Sequence, residues 1–179
     1  MLRQIAWFEI RYWLRSWMLW IFLIVITTLI CAAARSDPVM AELGFSNIYR
    51  NSPFVLATYY GTIGVFTLLT TAIFVNSAAL REIVSNTQQI VYSTPVRRRD
   101  LLPGRFFGAA IISLIPMLGI SLGLLLAQFL PPSQPERWER VIWTAHLKAI
   151  LLFAVPDTFI AAAILFAATV IWRTLFFWF

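Results

Sequence analysis

The chain has 179 residues, of which 60% are hydrophobic and only 12% charged, with a formal net charge of +6. Soluble domains are nearer half apolar and a quarter charged, so this composition excludes an ordinary soluble globular protein and points to an integral membrane protein. The basic balance in such a chain reflects arginine and lysine kept on the cytoplasmic side, and no nucleic-acid partner is expected from it.

Residues 1–15 read as an amphipathic helix lying in the membrane interface. On a helical wheel Gln4, Arg11 and Arg15 share a narrow polar stripe, while Leu2, Ile5, Ala6, Ile10, Tyr12 and Trp13 take the other side with Glu9 among them. The rival reading makes this segment the cytoplasmic start of the first span. About 20 apolar residues cross a bilayer as a helix. Four runs reach or approach that length, about 17–34, 54–80, 106–130 and 149–172. The first is longer than a signal-peptide core, although Ala32-Ala33-Ala34 resembles a cleavage site. Gly61, Gly64, Gly119 and Gly123 would let helices approach closely. The connecting segments Arg35–Pro53 and Pro131–Lys148 are too short for separate domains. Trp138, Trp143 and His146 suit an interface position.

Placing the N-terminus inside puts nine basic residues in cytoplasmic segments and five in outer ones. The positive-inside rule then favours both termini in the cytoplasm. The expected fold is thus all-α and integral to the membrane: an interfacial helix, four transmembrane helices, and a cytoplasmic loop over residues 81–105. Thr94-Pro95 ends any helix inside that loop. Asp100 is placed to cap a short helix entering Leu101–Arg105. Arg97, Arg98 and Arg99 act as topology markers, with an anionic-lipid patch or a partner surface as further readings.

Chemical sites are sparse. Cys31 is the single cysteine, which excludes an intramolecular disulfide and a cysteine metal site. Gly119-Ile120-Ser121-Leu122-Gly123 matches a nucleophile-elbow pattern, but that device needs a strand and a sharp turn, and this stretch lies in an apolar helical run. Small-residue helix packing is the expected role. Asp157, after Pro156, is an acidic residue inside a span. It either caps a half-helix restarted by the proline or faces a substrate cavity or gate. No phosphate-binding loop and no metal-binding motif is present, so no ATPase or hydrolase site and no bound cofactor or metal is expected in this chain.

The segment Leu80–Ile112 resembles the membrane-domain permease of bacterial ABC transporters of the type-2, exporter class. The match is carried by Arg81-Glu82, Thr87, Ser93, Pro95-Val96, Arg98, Leu101-Leu102, Gly104 and Arg105. The chain departs from that pattern at Asn86, Gln89, Arg97 and Pro103. The resemblance implies a multi-pass protein of the bacterial cytoplasmic membrane that moves a substrate, with ATP and Mg²⁺ held on a separate ABC ATPase subunit. It implies a docking surface for that subunit made of Arg81, Glu82, Gln89, Ser93, Pro95, Arg97, Arg98, Arg99 and Arg105. It also implies a second permease half, as a homodimer or heterodimer. Members of the class usually have six spans, so a chain ending at Phe179 is expected to be a fragment or a shortened product. The alternative function is a non-transporting anchor or assembly subunit of a membrane complex.

Overall fold

The computed structural model describes residues 2–84, 98–130 and 135–176, and among them there are helices and turns but no strand. In chain order the helices are α1 (Leu2–Leu14), α2 (Trp17–Arg35), α3 (Asp37–Glu42), α4 (Pro53–Val84), α5 (Arg98–Phe129), α6 (Trp143–Ala149) and α7 (Val155–Phe176). A 3₁₀ turn, Pro135–Arg137, follows α5, and a π-helical turn, Ile150–Ala154, joins α6 to α7. Among the described residues, three helical stretches are long and apolar enough to cross a membrane: Trp17–Arg35, Leu101–Phe129 and Trp143–Trp172. Pro53–Phe66 and Leu68–Arg81 qualify together as a fourth if the bent pair is one span. The all-helical membrane class expected from the sequence is what the chain adopts.

Local chemistry sets several helix ends. α3 starts with Asp37 and Pro38 in its first turn, where a missing N–H costs nothing. It stops at Gly44, whose φ of 78° lies in the left-handed region that glycine enters freely. The Gly44 N–H donates to the Ala41 carbonyl and the Phe45 N–H to the Met40 carbonyl. These two bonds form a Schellman motif, and Met40 and Phe45 are both buried beside it. Pro156 lies two residues past the π-helical turn. A proline ring crowds the carbonyl four residues back and donates no hydrogen bond. The π turn absorbs this, so the helix widens ahead of Pro156 rather than breaking there, and Asp157 lies in the first turn of α7.

The chain divides into two units. One comprises Met1–Ser16, Thr67–Ser113 and Thr158–Phe179. Its core is Val75, Ala78, Ala79, Ala109, Ala110, Ala162 and Phe166, a set dominated by alanine. Small side chains let helix backbones approach, which is how apolar helices gain contact when lipid competes for every larger side chain. Phe106 packs edge-on to Phe166 with centroids 5.6 Å apart, and the Thr169 hydroxyl donates to the Asn76 side-chain oxygen between α7 and α4. Trp13 of α1 packs edge-on to Phe74 of α4 at 4.8 Å.

The other unit comprises Trp17–Phe66 and Leu114–Asp157. Its core includes Ile26, Ile30, Met40, Phe45, Leu56, Tyr60, Met117, Ile120 and Leu124. Gly119 and Gly123 of α5 face α2. A methyl group on Gly123 would lie 2.5 Å from the Thr27 carbonyl oxygen, and one on Gly119 would lie 3.0 Å from the Thr27 hydroxyl. Spaced four apart on one helix face, these glycines form the groove that α2 fills. The opposite face of α2 leaves Ile21, Ile24, Val25 and Leu29 exposed. Such a stripe would be a liability in water and is the expected surface in lipid.

Candidate functional site

The expected docking loop is bracketed by two arginines that the fold brings to one carboxylate. Arg81 is in the last turn of α4 and Arg105 is in the second turn of α5. Arg81 Nη2 lies 2.8 Å from Glu9 Oε2, and Arg105 Nε lies 3.9 Å from Glu9 Oε1. Glu9 comes from α1 and is 1% exposed. The Arg105 guanidinium also donates to the Ala78 carbonyl at 3.0 Å, tying the start of α5 to the end of α4. Arg81 is held from its other side by the Tyr12 ring, with its guanidinium carbon 4.0 Å from the centroid, and by Phe8 at 5.9 Å. Stacking on a ring while pairing with a carboxylate suits the flat, delocalised guanidinium.

Backbone approach makes this cluster possible. A methyl group on Gly108 would lie 2.6 Å from Glu9 Cβ, and one on Gly104 would lie 2.9 Å from Ile5 Cβ and 3.0 Å from the Leu2 carbonyl. Gly104 and Gly108 are thus a second four-residue glycine pair on α5, and α1 rests on it. Burial pushes the Glu9 carboxyl above the usual carboxylate range, and the charges of Arg81 and Arg105 oppose that shift.

The other expected docking residues fall around this cluster. Glu82 lies in the last turns of α4. Arg98 and Arg99 open α5, so the helix begins ahead of Asp100, which sits inside its first turn rather than at its cap. Gln89, Ser93, Pro95 and Arg97 lie outside the described residues. Pro156 is half-buried and Asp157 exposed. Asp157 lies beside Gly64 of α4, where an added methyl group would be 3.6 Å from Oδ2.

Two further polar groups are settled by their partners. Ser121 is buried and shares a 2.8 Å hydrogen bond with the Tyr60 hydroxyl. It joins two spans, in a helix that lacks the elbow geometry of a nucleophile. At the far end of the same unit the connections are tied by charge. Asp37 pairs with Arg50, which also donates to the Ala34 carbonyl at 2.9 Å. Arg137 lies 3.6 Å from Asp37 and donates to the Phe45 carbonyl at 3.0 Å. The Asn51 side chain donates to the Glu139 carbonyl and accepts from its N–H. These contacts knit the segment after α2 to the segment before α6.

Sequence reasoning missed Glu9, Gly104 and Gly108 as site residues. The available signals were a carboxylate on the apolar side of an amphipathic helix, and a Gly-x-x-x-Gly spacing inside Gly104-Arg105-Phe106-Phe107-Gly108.

The architecture defines a multi-pass helical membrane protein whose buried ionic cluster gathers the ends of one inter-span loop. The family is specified by a match over residues 3–174 to the ABC-2 family of transporter proteins, and the chain belongs to that family. It is a membrane permease component of an ABC transporter. No curated protein and no solved structure matches it.

Proposed function

We propose that the chain pairs with a separate ABC ATPase through the 81–105 loop and, with a second permease half, forms a substrate path through the membrane. ATP and Mg²⁺ are held by the partner ATPase, and closing of the ATPase on nucleotide pushes on the loop. Alternating exposure of the path then follows from movement of the helices to which the loop is attached.

The observation that carries this reading is the Glu9–Arg81–Arg105 cluster. A loop can deliver force only if its ends are fixed to something stiff. Arg81 and Arg105 stand at the two ends of the 81–105 loop, and both are held to α1 by one buried carboxylate. Glu82, Gln89, Ser93, Pro95 and Arg97 to Arg99 are assigned to the ATPase-facing part by their places in the family-like pattern. Asp157 is assigned to the path or its gate. An exposed carboxylate in a span is expensive against lipid and favours a cavity or a partner, and the glycine at position 64 leaves room beside it.

The test is recovery of a partner from the native host. Detergent-solubilised protein is expected to co-purify with an ATPase whose hydrolysis rate changes when the permease is bound. Recovery of the intact permease with no ATPase would overturn the reading.

A further inference from the structure

Helix α1 has two faces; the carboxylate of the loop-holding cluster lies on the inner one, and Arg81 reaches only as far round as the Tyr12 and Phe8 rings. At about 100° per residue, Arg3, Trp7 and Arg11 form a stripe about 80° wide on the other side, and Arg15 follows in the turn just past the end of the helix. All four are exposed, Trp7 by 62%. Among the described residues, the side chains of Arg3, Arg11 and Arg15 make no hydrogen bond and no ion pair. The flanking Phe8 and Tyr12 are also exposed. The inner side, with Glu9 and Trp13 buried, faces the protein.

We propose that the outer face of α1 is a binding surface for anionic phospholipid headgroups. The depth of the helix argues for lipid as the occupant. α1 ends at Leu14 and the first span begins at Trp17. A chain advances at most about 3.6 Å per residue, so the end of α1 cannot leave the membrane surface by more than roughly 10 Å. The composition of the stripe argues for an anionic headgroup. Guanidinium forks match phosphate oxygens in pairs, and tryptophan between them sits at headgroup depth with its ring towards the acyl chains. Glu9 is the acidic residue within α1, and it is turned away and committed to Arg81 and Arg105. The surface presented to the headgroups is therefore one of uncompensated positive charge. Because Glu9 is on the same helix, seating α1 on anionic lipid also seats the carboxylate that holds the loop ends.

The test uses the full chain reconstituted in phosphatidylcholine vesicles that carry either spin-labelled phosphatidylglycerol or spin-labelled phosphatidylcholine. The motionally restricted fraction gives relative affinity. A basic side chain at an anionic surface is worth roughly fivefold in binding, so wild type is expected to prefer phosphatidylglycerol by about that factor or more at low salt and to lose the preference in 1 M salt. The triple variant Arg3→Gln, Arg11→Gln, Arg15→Gln is expected to fall to parity, and the triple lysine variant to retain most of the preference. All three positions are exposed, and circular dichroism checks that helix content is unchanged. Wild type without a preference overturns the proposal. So does a preference that survives the triple glutamine change and disappears with Arg97→Gln, Arg98→Gln, Arg99→Gln instead. If the triple glutamine variant keeps its lipid preference but no longer retains a protein partner, the face is a protein contact and the proposal is likewise overturned.

Discussion

Glu9 follows Phe8 on a helix whose exposed side is aromatic and basic, and it carries a charge into a site with almost no water. Its unfolded reference value is 4.5, and burial raises the folded value against the pull of Arg81 and Arg105. Between those two values the folded protein holds more proton than the unfolded chain. The contribution of Glu9 to stability therefore rises as pH falls through that interval and is least favourable above it. The midpoint of thermal unfolding in detergent is expected to show this slope in wild type as pH is lowered from neutrality. Glu9→Gln, which keeps the shape and removes the titration, is expected to flatten it. Equal slopes in the two proteins would assign the effect to another group. Ser121 makes a second prediction at this scale. Removing its hydroxyl leaves the buried Tyr60 oxygen without its 2.8 Å partner. Ser121→Ala is expected to cost about 1–3 kcal/mol, and adding Tyr60→Phe to recover most of that, because an unmet buried donor costs more than a matched pair gains. A double-mutant cycle on unfolding midpoints checks it, and additive losses would show that the two hydroxyls are not coupled.

At the scale of the elements, α5 is organised by glycine spacing. Its pair at 104 and 108 receives α1, and its pair at 119 and 123 receives α2. Gly108→Ala places a methyl group against Glu9 Cβ and the Ala6 carbonyl, where backbone cannot yield cheaply. It is expected to destabilise by about 1–3 kcal/mol through overpacking. Gly61→Ala meets nothing within 4 Å, and better helix propensity makes it neutral or stabilising by up to about 1 kcal/mol. Equal effects of the two changes on the unfolding midpoint would contradict the packing described. The contrast also shows which parts of this fold are legible in one sequence. Apolar run length reveals the membrane helices because lipid thickness imposes it. Which glycine meets which helix is not legible, since Gly61 and Gly108 look alike until the rotation of each helix is known. The same holds for the loop ends. Arg81 and Arg105 are apparent as charges beside apolar runs, but the carboxylate joining them is far away in sequence and has the appearance of an exception on an apolar face. The π turn before Pro156 was equally hidden, because a proline predicts a lost hydrogen bond and not the way the helix repairs it.

At the scale of the whole molecule, orientation rests on charge rather than on contacts. Nine basic residues against five favour the loop containing Arg97, Arg98 and Arg99 on the cytoplasmic side with both termini. The two groups also differ in their surroundings. Arg50 and Arg137 face Asp37, which satisfies them locally. The arginine triplet has a single acidic neighbour in sequence, Asp100. Since basic residues close to the ends of spans set topology, reversing the triplet to glutamate would leave six basic residues in the segments now assigned to the inside, against an unchanged five outside. That nearly removes the asymmetry, so a mixed orientation is the expected outcome. The single native cysteine makes this measurable. In a Cys31→Ser background, a cysteine introduced at Gln88 is expected to resist a membrane-impermeant thiol reagent in intact cells and to react once the membrane is opened. In the triplet-reversed protein a substantial fraction is expected to react from outside. Reaction of the Gln88→Cys protein from outside with the arginines intact would invert the topology and place the proposed docking loop beyond the reach of any cytoplasmic ATPase.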